Sequence, residues 1–224
     1  MKTIIGWFGE KLTTFGMWVT LNSEVYQRFH NVIIPASNGT TQIDHLLVSP
    51  YGIFIVETKN IKGWIFGSAE QAKWTQSLYG KKYSFQNPVR QTYRQMKVLS
   101  DYIGIDESKI KTVVFFVGDC KFKTDMPSNV IRSGLGSYIK NFSNIVLSNS
   151  EIAQIIQKLN RHVSESTLRT RDHVRSLKQR HNSTTVCPKC GSSLVVRAAK
   201  QGANAGNKFL GCESYPKCRF TKNL

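Results

Sequence analysis

Thr41-Gln42-Ile43-Asp44-His45-Leu46-Leu47-Val48-Ser49-Pro50-Tyr51-Gly52-Ile53-Phe54-Ile55-Val56-Glu57-Thr58-Lys59 is the most strongly patterned run of the chain. Two β-rich runs flank the turn signal Ser49-Pro50-Tyr51-Gly52, which reads as a hairpin. Leu46, Val48, Ile53 and Ile55 fall on one face and Leu47, Phe54 and Val56 on the other, the pattern of central strands covered on both sides. With the turn at 49–52, Asp44 stands directly opposite Glu57, and the two-residue strand period turns Lys59 to the face of Glu57. Opposed carboxylates repel, so charges set among apolar strands need a reason. One is a divalent metal: two hard oxygen ligands suit Mg2+, with Lys59 orienting or deprotonating a water and screening developing negative charge. The other is a plain ion cluster at the strand ends, open to solvent.

Toward the N-terminus, Leu12, Phe15, Val19 and Leu21 form a rough helical stripe across Glu10 to Val25, ahead of the extended run Val32-Ile33-Ile34-Pro35. Downstream, Asn87-Pro88 opens a helix with Val89, Tyr93, Met96 and Leu99 on one side, and Lys111 to Val117 reads as a buried strand. Asn144 to Leu147 is a further strand candidate. Ser148-Asn149-Ser150-Glu151 has capping-box spacing ahead of Ile152, Ile155, Ile156 and Leu159. After Asn160 the composition shifts to Arg, His, Ser and Thr. The expected organisation is an α/β domain at 1–159, a basic tether with some helix at 160–185 and a small module at 186–224.

A chain of 224 residues has room for one well-buried core and an appendage. Its net charge of +17 favours polyanions, and residues 158–224 hold 14 basic but 3 acidic side chains, so the tail is the electrostatic handle. Solubility or attraction to anionic lipid is the blander account of a high charge. The apolar start from Met1 to Gly9 is interrupted by Glu10 and Lys11, so no membrane or export segment is expected and the chain is assigned to the cytoplasm. In that reducing compartment five cysteines are not a disulfide framework. Cys120, in the apolar run from Val113, reads as a small buried hydrophobe.

The other four cysteines are Cys187 and Cys190 around Pro188-Lys189, then Cys212 and Cys218. Four soft thiolates in two knuckle-like pairs suit a closed tetrahedral structural Zn2+ site. A segment this short buries little apolar surface, so the metal must supply much of its folding energy. Arg197, Lys200, Lys208, Lys217 and Arg219 surround Phe209, Tyr215 and Phe220. Such a set holds a phosphate backbone and stacks on unpaired bases with little sequence preference. A ribbon that binds only protein is the competing reading. Further upstream, Trp64, Phe66, Trp74 and Tyr79 lie among Lys62, Lys73, Lys81 and Lys82, which suits either base stacking or the lining of a core or hairpin.

Thr41-Gln42-Ile43-Asp44-His45, Tyr51 to Asn60, Gly63-Trp64-Ile65-Phe66-Gly67, Trp74-Thr75-Gln76 and Phe85 to Gln91 closely resemble the nuclease-related domain (NERD) family. The resemblance implies a restriction-endonuclease-like α/β core, a central mixed sheet flanked by helices. By it, Asp44, Glu57 and Lys59 match metal-binding and catalytic positions. Glu10 matches the glutamate of a first helix, with Glu24 as a rival, and Gln91 matches a family glutamine. Gln95 stands where the family has a histidine, which puts a proton-transfer role there in doubt. Cys187 to Gly191, Leu194, Phe209 to Cys212 and Tyr215 to Cys218 resemble the C4 zinc finger of bacterial type I topoisomerases, with a longer loop between the cysteine pairs. Together these imply a metal-dependent nuclease or DNA-processing protein with Mg2+ at Asp44 and Glu57. Single-stranded or structured DNA is the favoured partner, RNA is also open, and a membrane is not expected. The alternative is a non-catalytic nucleic-acid-binding protein that keeps the nuclease fold.

Overall fold

A computed structural model of the chain describes residues 20–36, 39–168, 170–189, 191–202, 205–216 and 218–224. They fall into two compact units, one formed by the chain up to Ile34 with Gln42–Thr167, the other by Pro35–Thr41 with Leu168–Leu224. Of the helix expected across Glu10 to Val25, residues 10–19, Glu10 included, lie outside the described residues, and Leu21 to Val25 form a bend and turn rather than helix.

The sheet of the first unit is built on the hairpin. β1 (Gln27–Ala36), β2 (Gly39–Ser49), β3 (Gly52–Lys59), β7 (Ile110–Phe116) and β9 (Val130–Ile131) pair in the order β1-β2-β3-β7-β9. β2 and β3 are antiparallel with His45 opposite Val56 and Ser49 opposite Gly52, the expected register. β7 joins β3 in parallel, setting Glu57 beside Val114 and Lys59 beside Phe116, and β9 joins β7 in parallel. The sheet is therefore mixed. Gly52 closes the turn with φ +121°, and a Cβ there would stand 2.8 Å from the Lys109 carbonyl oxygen, so both backbone and space call for glycine.

Helices cover both faces, as the double apolar alternation requires. Leu46, Val48, Ile53 and Ile55 pack with Leu99 of α1 (Pro88–Ile103) and with Ile155 and Leu159 of α3 (Asn149–Glu165). Leu47, Phe54 and Val56 pack on the other side against Leu21, Tyr26 and the Leu135 and Ile139 side chains of α2 (Leu135–Lys140). Each such fully buried aliphatic side chain contributes roughly 1.5–3 kcal/mol. A second sheet, not anticipated from sequence, fills the stretch between β3 and α1. β4 (Gly63–Phe66), β5 (Lys73–Leu78) and β6 (Lys81–Gln86) form a meander that β8 (Cys120–Phe122) joins in parallel, in the order β6-β5-β4-β8. Ile65, Trp74 and Cys120 bury its inner face. Cys120 is thus the expected buried hydrophobe, and burial pushes its thiol pKa up.

Two expectations need correction. Asn144–Leu147 is not a strand: Val146 and Leu147 both donate their N–H to the Pro50 carbonyl, and the segment serves as a loop that inserts only Leu147 into the core. On α1 the buried stripe is Pro88, Thr92, Gln95 and Leu99; Tyr93 faces outward, with the Lys97 ammonium 5.7 Å from its ring centre. In the second unit, α4 (Thr170–Asn182) occupies most of the basic segment, and β10 (Leu194–Ala198), β11 (Lys208–Cys212) and β12 (Thr221–Asn223) form an antiparallel three-stranded sheet. Among the described residues no helix is long and apolar enough to cross a membrane.

Candidate active site and zinc ribbon

Three elements supply the polar cluster. β2 carries Asp44, β3 carries Glu57 and Lys59, and α1 carries Gln91 and Gln95 four residues apart on one helical face. Strand alternation sends Asp44 to the side of Leu46 and Val48, and Glu57 to the side of Ile53 and Ile55, which is the face that α1 covers. Continuing the hairpin register by one residue sets Asp44 opposite Glu57, and an Asp44 Oδ2 accepts the Thr58 backbone N–H at 3.3 Å.

Glu57 is 3% exposed, yet both its oxygens are satisfied. Oε1 accepts from Lys59 Nζ at 2.6 Å and Oε2 from Gln95 Nε2 at 2.8 Å. Lys59 also donates to Gln91 Oε1 at 3.1 Å, so two of its three ammonium protons are placed and its side chain, 20% exposed, still reaches solvent. This geometry disposes of a fully solvated ion cluster: the carboxylate is buried and needs its partners. The Gln95 amide is oriented by its two donations, to Glu57 and to the Gln42 carbonyl at 2.9 Å. Its Oε1 is buried and has no hydrogen-bond partner among the described residues. A buried acceptor oxygen on the amide that also holds the Glu57 carboxylate fits a hard cation or its coordinated water. The carboxylate oxygens keep lone pairs beyond those already engaged.

The sequence pattern thus located Asp44, Glu57, Lys59 and Gln91 in one place. Gln95, at the position where the resemblance led a histidine to be expected, is here the donor that holds Glu57. Asn87 is a further organising residue: its side chain caps α1 through the Val89 and Arg90 N–H groups and donates to the carbonyls of Ser68, Ala69 and Gln71. The Asn87-Pro88 signal marked the cap but not the loop that it ties down. Glu24 is exposed in a turn before β1 and is not joined to the cluster by any described hydrogen bond. On the opposite side of β2, His45 Nδ1 lies 2.8 Å from His30 Nδ1, and burial, followed by the Arg28 charge, lowers the His30 pKa.

In the ribbon, the ligand sulfurs of Cys187, Cys212 and Cys218 all lie within 4.8 Å of one another, with Cys187 and Cys218 Sγ 3.7 Å apart. Cys190, the fourth expected ligand, and Lys217 lie outside the described residues. The Gly191 N–H returns to the Cys187 carbonyl and the Cys187 N–H to Ser192, forming a tight knuckle, and Leu194, Leu210 and Phe220 complete a small apolar cluster around the thiols. Three converging thiols with so little apolar packing are the ligand set of a structural zinc site. Of the residues expected to meet nucleic acid, Arg197, Lys200, Lys208, Tyr215 and Arg219 are exposed and Phe209 is half-buried. The Arg197 guanidinium sits 5.8 Å from the Tyr215 ring centre. Phe220 packs inward against the ribbon's own core.

Comparison with known proteins agrees with both parts. The family described as Nuclease-related domain matches residues 5–117, and Topoisomerase DNA binding C4 zinc finger matches residues 184–224. The chain belongs to the nuclease-related domain family and carries a C-terminal zinc finger of the topoisomerase DNA-binding type. An uncharacterized protein of Bacillus anthracis is 35% identical over 153 residues, 66% of this chain and 71% of its own length. DNA topoisomerase 1 of Methanocaldococcus jannaschii is 58% identical over 39 residues, 17% of this chain and 4% of that protein. DNA topoisomerase 1 of Archaeoglobus fulgidus is 54% identical over 38 residues, 17% and 5% respectively. The likeness to the topoisomerases is thus confined to the ribbon. No solved structure matches the chain.

Proposed function

We propose that the chain is a metal-dependent nuclease-type hydrolase of DNA phosphodiesters, in which residues 1–159 form a restriction-endonuclease-like catalytic domain, 160–185 a basic tether and 186–224 a zinc finger that grips DNA in the cytoplasm. The observation that carries this reading is the buried Glu57, held by Lys59 and Gln95 on the face it shares with Asp44. Asp44 and Glu57 would hold Mg2+, and the unpartnered Gln95 Oε1 is a further oxygen that could accept from a coordinated water. When bound, Mg2+ polarises a phosphoryl oxygen and lowers the pKa of a coordinated water. Lys59 keeps one ammonium proton for a non-bridging phosphate oxygen, where it offsets the charge that grows as water attacks. Gln91 fixes the Lys59 rotamer. Glu10 completes the acidic set in this reading. The finger holds product and substrate near the site by raising local concentration, and single-stranded or structured DNA is its preferred partner, with RNA tested alongside.

The test is a panel of single-stranded, nicked, branched and duplex DNA and of RNA, incubated with Mg2+, Mn2+ or chelator. Cleavage of at least one form with metal, lost in Asp44→Ala while binding persists, is the expected result. A non-catalytic reading is favoured by two observations: both oxygens of Glu57 are already engaged, and glutamine replaces the expected histidine at 95. No product from any substrate and equal affinity with and without Mg2+ would select it.

A further inference from the structure

The outer face of the second sheet has a composition that the catalytic cluster does not explain. Register places Lys121 of β8 beside Trp64 of β4, Trp64 opposite Ser77 of β5, and Ser77 opposite Lys82 of β6. These four form one row across the sheet, spanning about 14 Å at about 4.8 Å per strand. Alternation puts Lys73 on the same face, and Lys123, just past β8, reaches over the Trp64 ring with Nζ 4.4 Å from its centre. Trp64 is 51% exposed and all four lysines are exposed, whereas Trp74, on the inner face, is fully buried. No acidic side chain occupies a strand position of this sheet: Glu70, Asp119 and Asp125 stand in the connecting loops. A solvated sheet face that served only solubility would mix both signs of charge and would not leave an indole in the open.

We infer that this face binds single-stranded nucleic acid: Lys82 and Lys121 hold successive stretches of phosphate backbone on either side of Trp64, which offers its ring to an unpaired base. Four ammonium groups on a sheet whose strands carry no acidic residue complement a polyanion, and an aromatic between them supplies the stacking platform that distinguishes a nucleic-acid strand from a simple anion. An anionic lipid surface would draw on the same lysines but would gain little from one indole set within a flat sheet. This site lies on the nuclease-family unit and is separate from the ribbon residues. It rests on the nucleic-acid reading above but requires no catalytic turnover.

The experiment uses the full chain without added divalent metal and a fluorescein-labelled oligothymidylate carrying 5-iodouracil. Lys82→Glu with Lys121→Glu should weaken binding about tenfold and reduce the slope of log affinity against log salt by about 1.4, roughly 0.7 for each phosphate no longer neutralised. Photo-cross-linking should yield a Trp64 adduct, retained in Trp64→Phe at residue 64 and abolished in Trp64→Ala. Lys82→Gln with Lys121→Gln, which removes charge without reversing it, should reproduce the change in slope. Unchanged affinity and slope, with adducts confined to residues 184–224, would overturn the inference and leave the nucleic-acid reading intact. Loss of binding to phosphatidylserine vesicles but not to the oligonucleotide would also overturn it. A full chain that binds no nucleic acid at all would overturn both.

Discussion

Glu57 shows how a single buried charge disciplines its surroundings. Its ion pair with Lys59 is buried on one side only, because Lys59 reaches solvent, so breaking it costs less than the roughly 3–5 kcal/mol typical of a wholly buried pair. Lys59→Met should destabilise the first unit by about 2 kcal/mol, read as a lower urea midpoint, since Glu57 would keep only the Gln95 amide. Adding Glu57→Leu should recover most of that loss, because the pair is replaced by apolar groups and no charge is left buried. If Lys59→Met leaves the midpoint unchanged, the pair has no structural weight. At this scale the sequence was informative where chemistry and period coincide: Asp44, Glu57 and Lys59 are charged residues at core positions of strands, and such residues are conspicuous. Gln95 was conspicuous as a departure from an expected histidine and as part of a polar helix face near the site; its donation to Glu57 depends on the strand beneath it, which no local pattern encodes.

At the level of elements, α3 depends on a local device that can be titrated. Ser148 accepts the Glu151 N–H, and the Glu151 carboxylate accepts the Ser148 N–H at 2.8 Å and the Lys109 ammonium at 2.7 Å. Lys109 first, then the cap, brings the Glu151 pKa down from 4.5 to about 2. A carboxylate depressed in the folded state stabilises it above the unfolded pKa and loses that contribution as pH falls through the folded one. The gap in urea midpoint between wild type and Glu151→Gln should therefore be full above about pH 5 and close between pH 4.5 and 2; a gap independent of pH would refute the assignment. Ser148→Ala should cost about 1 kcal/mol at neutral pH. This cap was legible because its signature is local, as were the hairpin and its register. Asn144–Leu147 has the composition of a strand, but no neighbouring edge receives it; its N–H groups find the Pro50 carbonyl instead. The second sheet escaped notice because its strands are short and polar on the outer face, and because β8 reaches β4 from more than fifty residues away, a pairing no local pattern encodes.

For the molecule as a whole, the metal that folds the tail is separable from the one that would serve the candidate active site. The chain should take up one zinc, and a thiol-compatible chelator should unfold Cys187 to Phe220 while the first unit keeps its urea transition, because its core contains none of the cysteine ligands. Deleting the chain after Thr167 removes a net charge of +10 and should flatten the salt dependence of DNA binding, leaving the share contributed by the first unit. The tail's basic character and its zinc module were visible in composition and cysteine spacing; what sequence left open was which basic and aromatic side chains stay exposed, a matter of how the ribbon packs around Phe220. Hydrolysis at the Asp44, Glu57 and Lys59 cluster can be read from single-turnover cleavage of end-labelled DNA by purified wild-type chain and Asp44→Asn, each zinc-loaded and each with or without Mg2+. Metal-dependent product from wild type alone, with equal DNA affinity in the two proteins, is the predicted result. Equal cleavage by Asp44→Asn, or wild-type cleavage that ignores Mg2+, would contradict it.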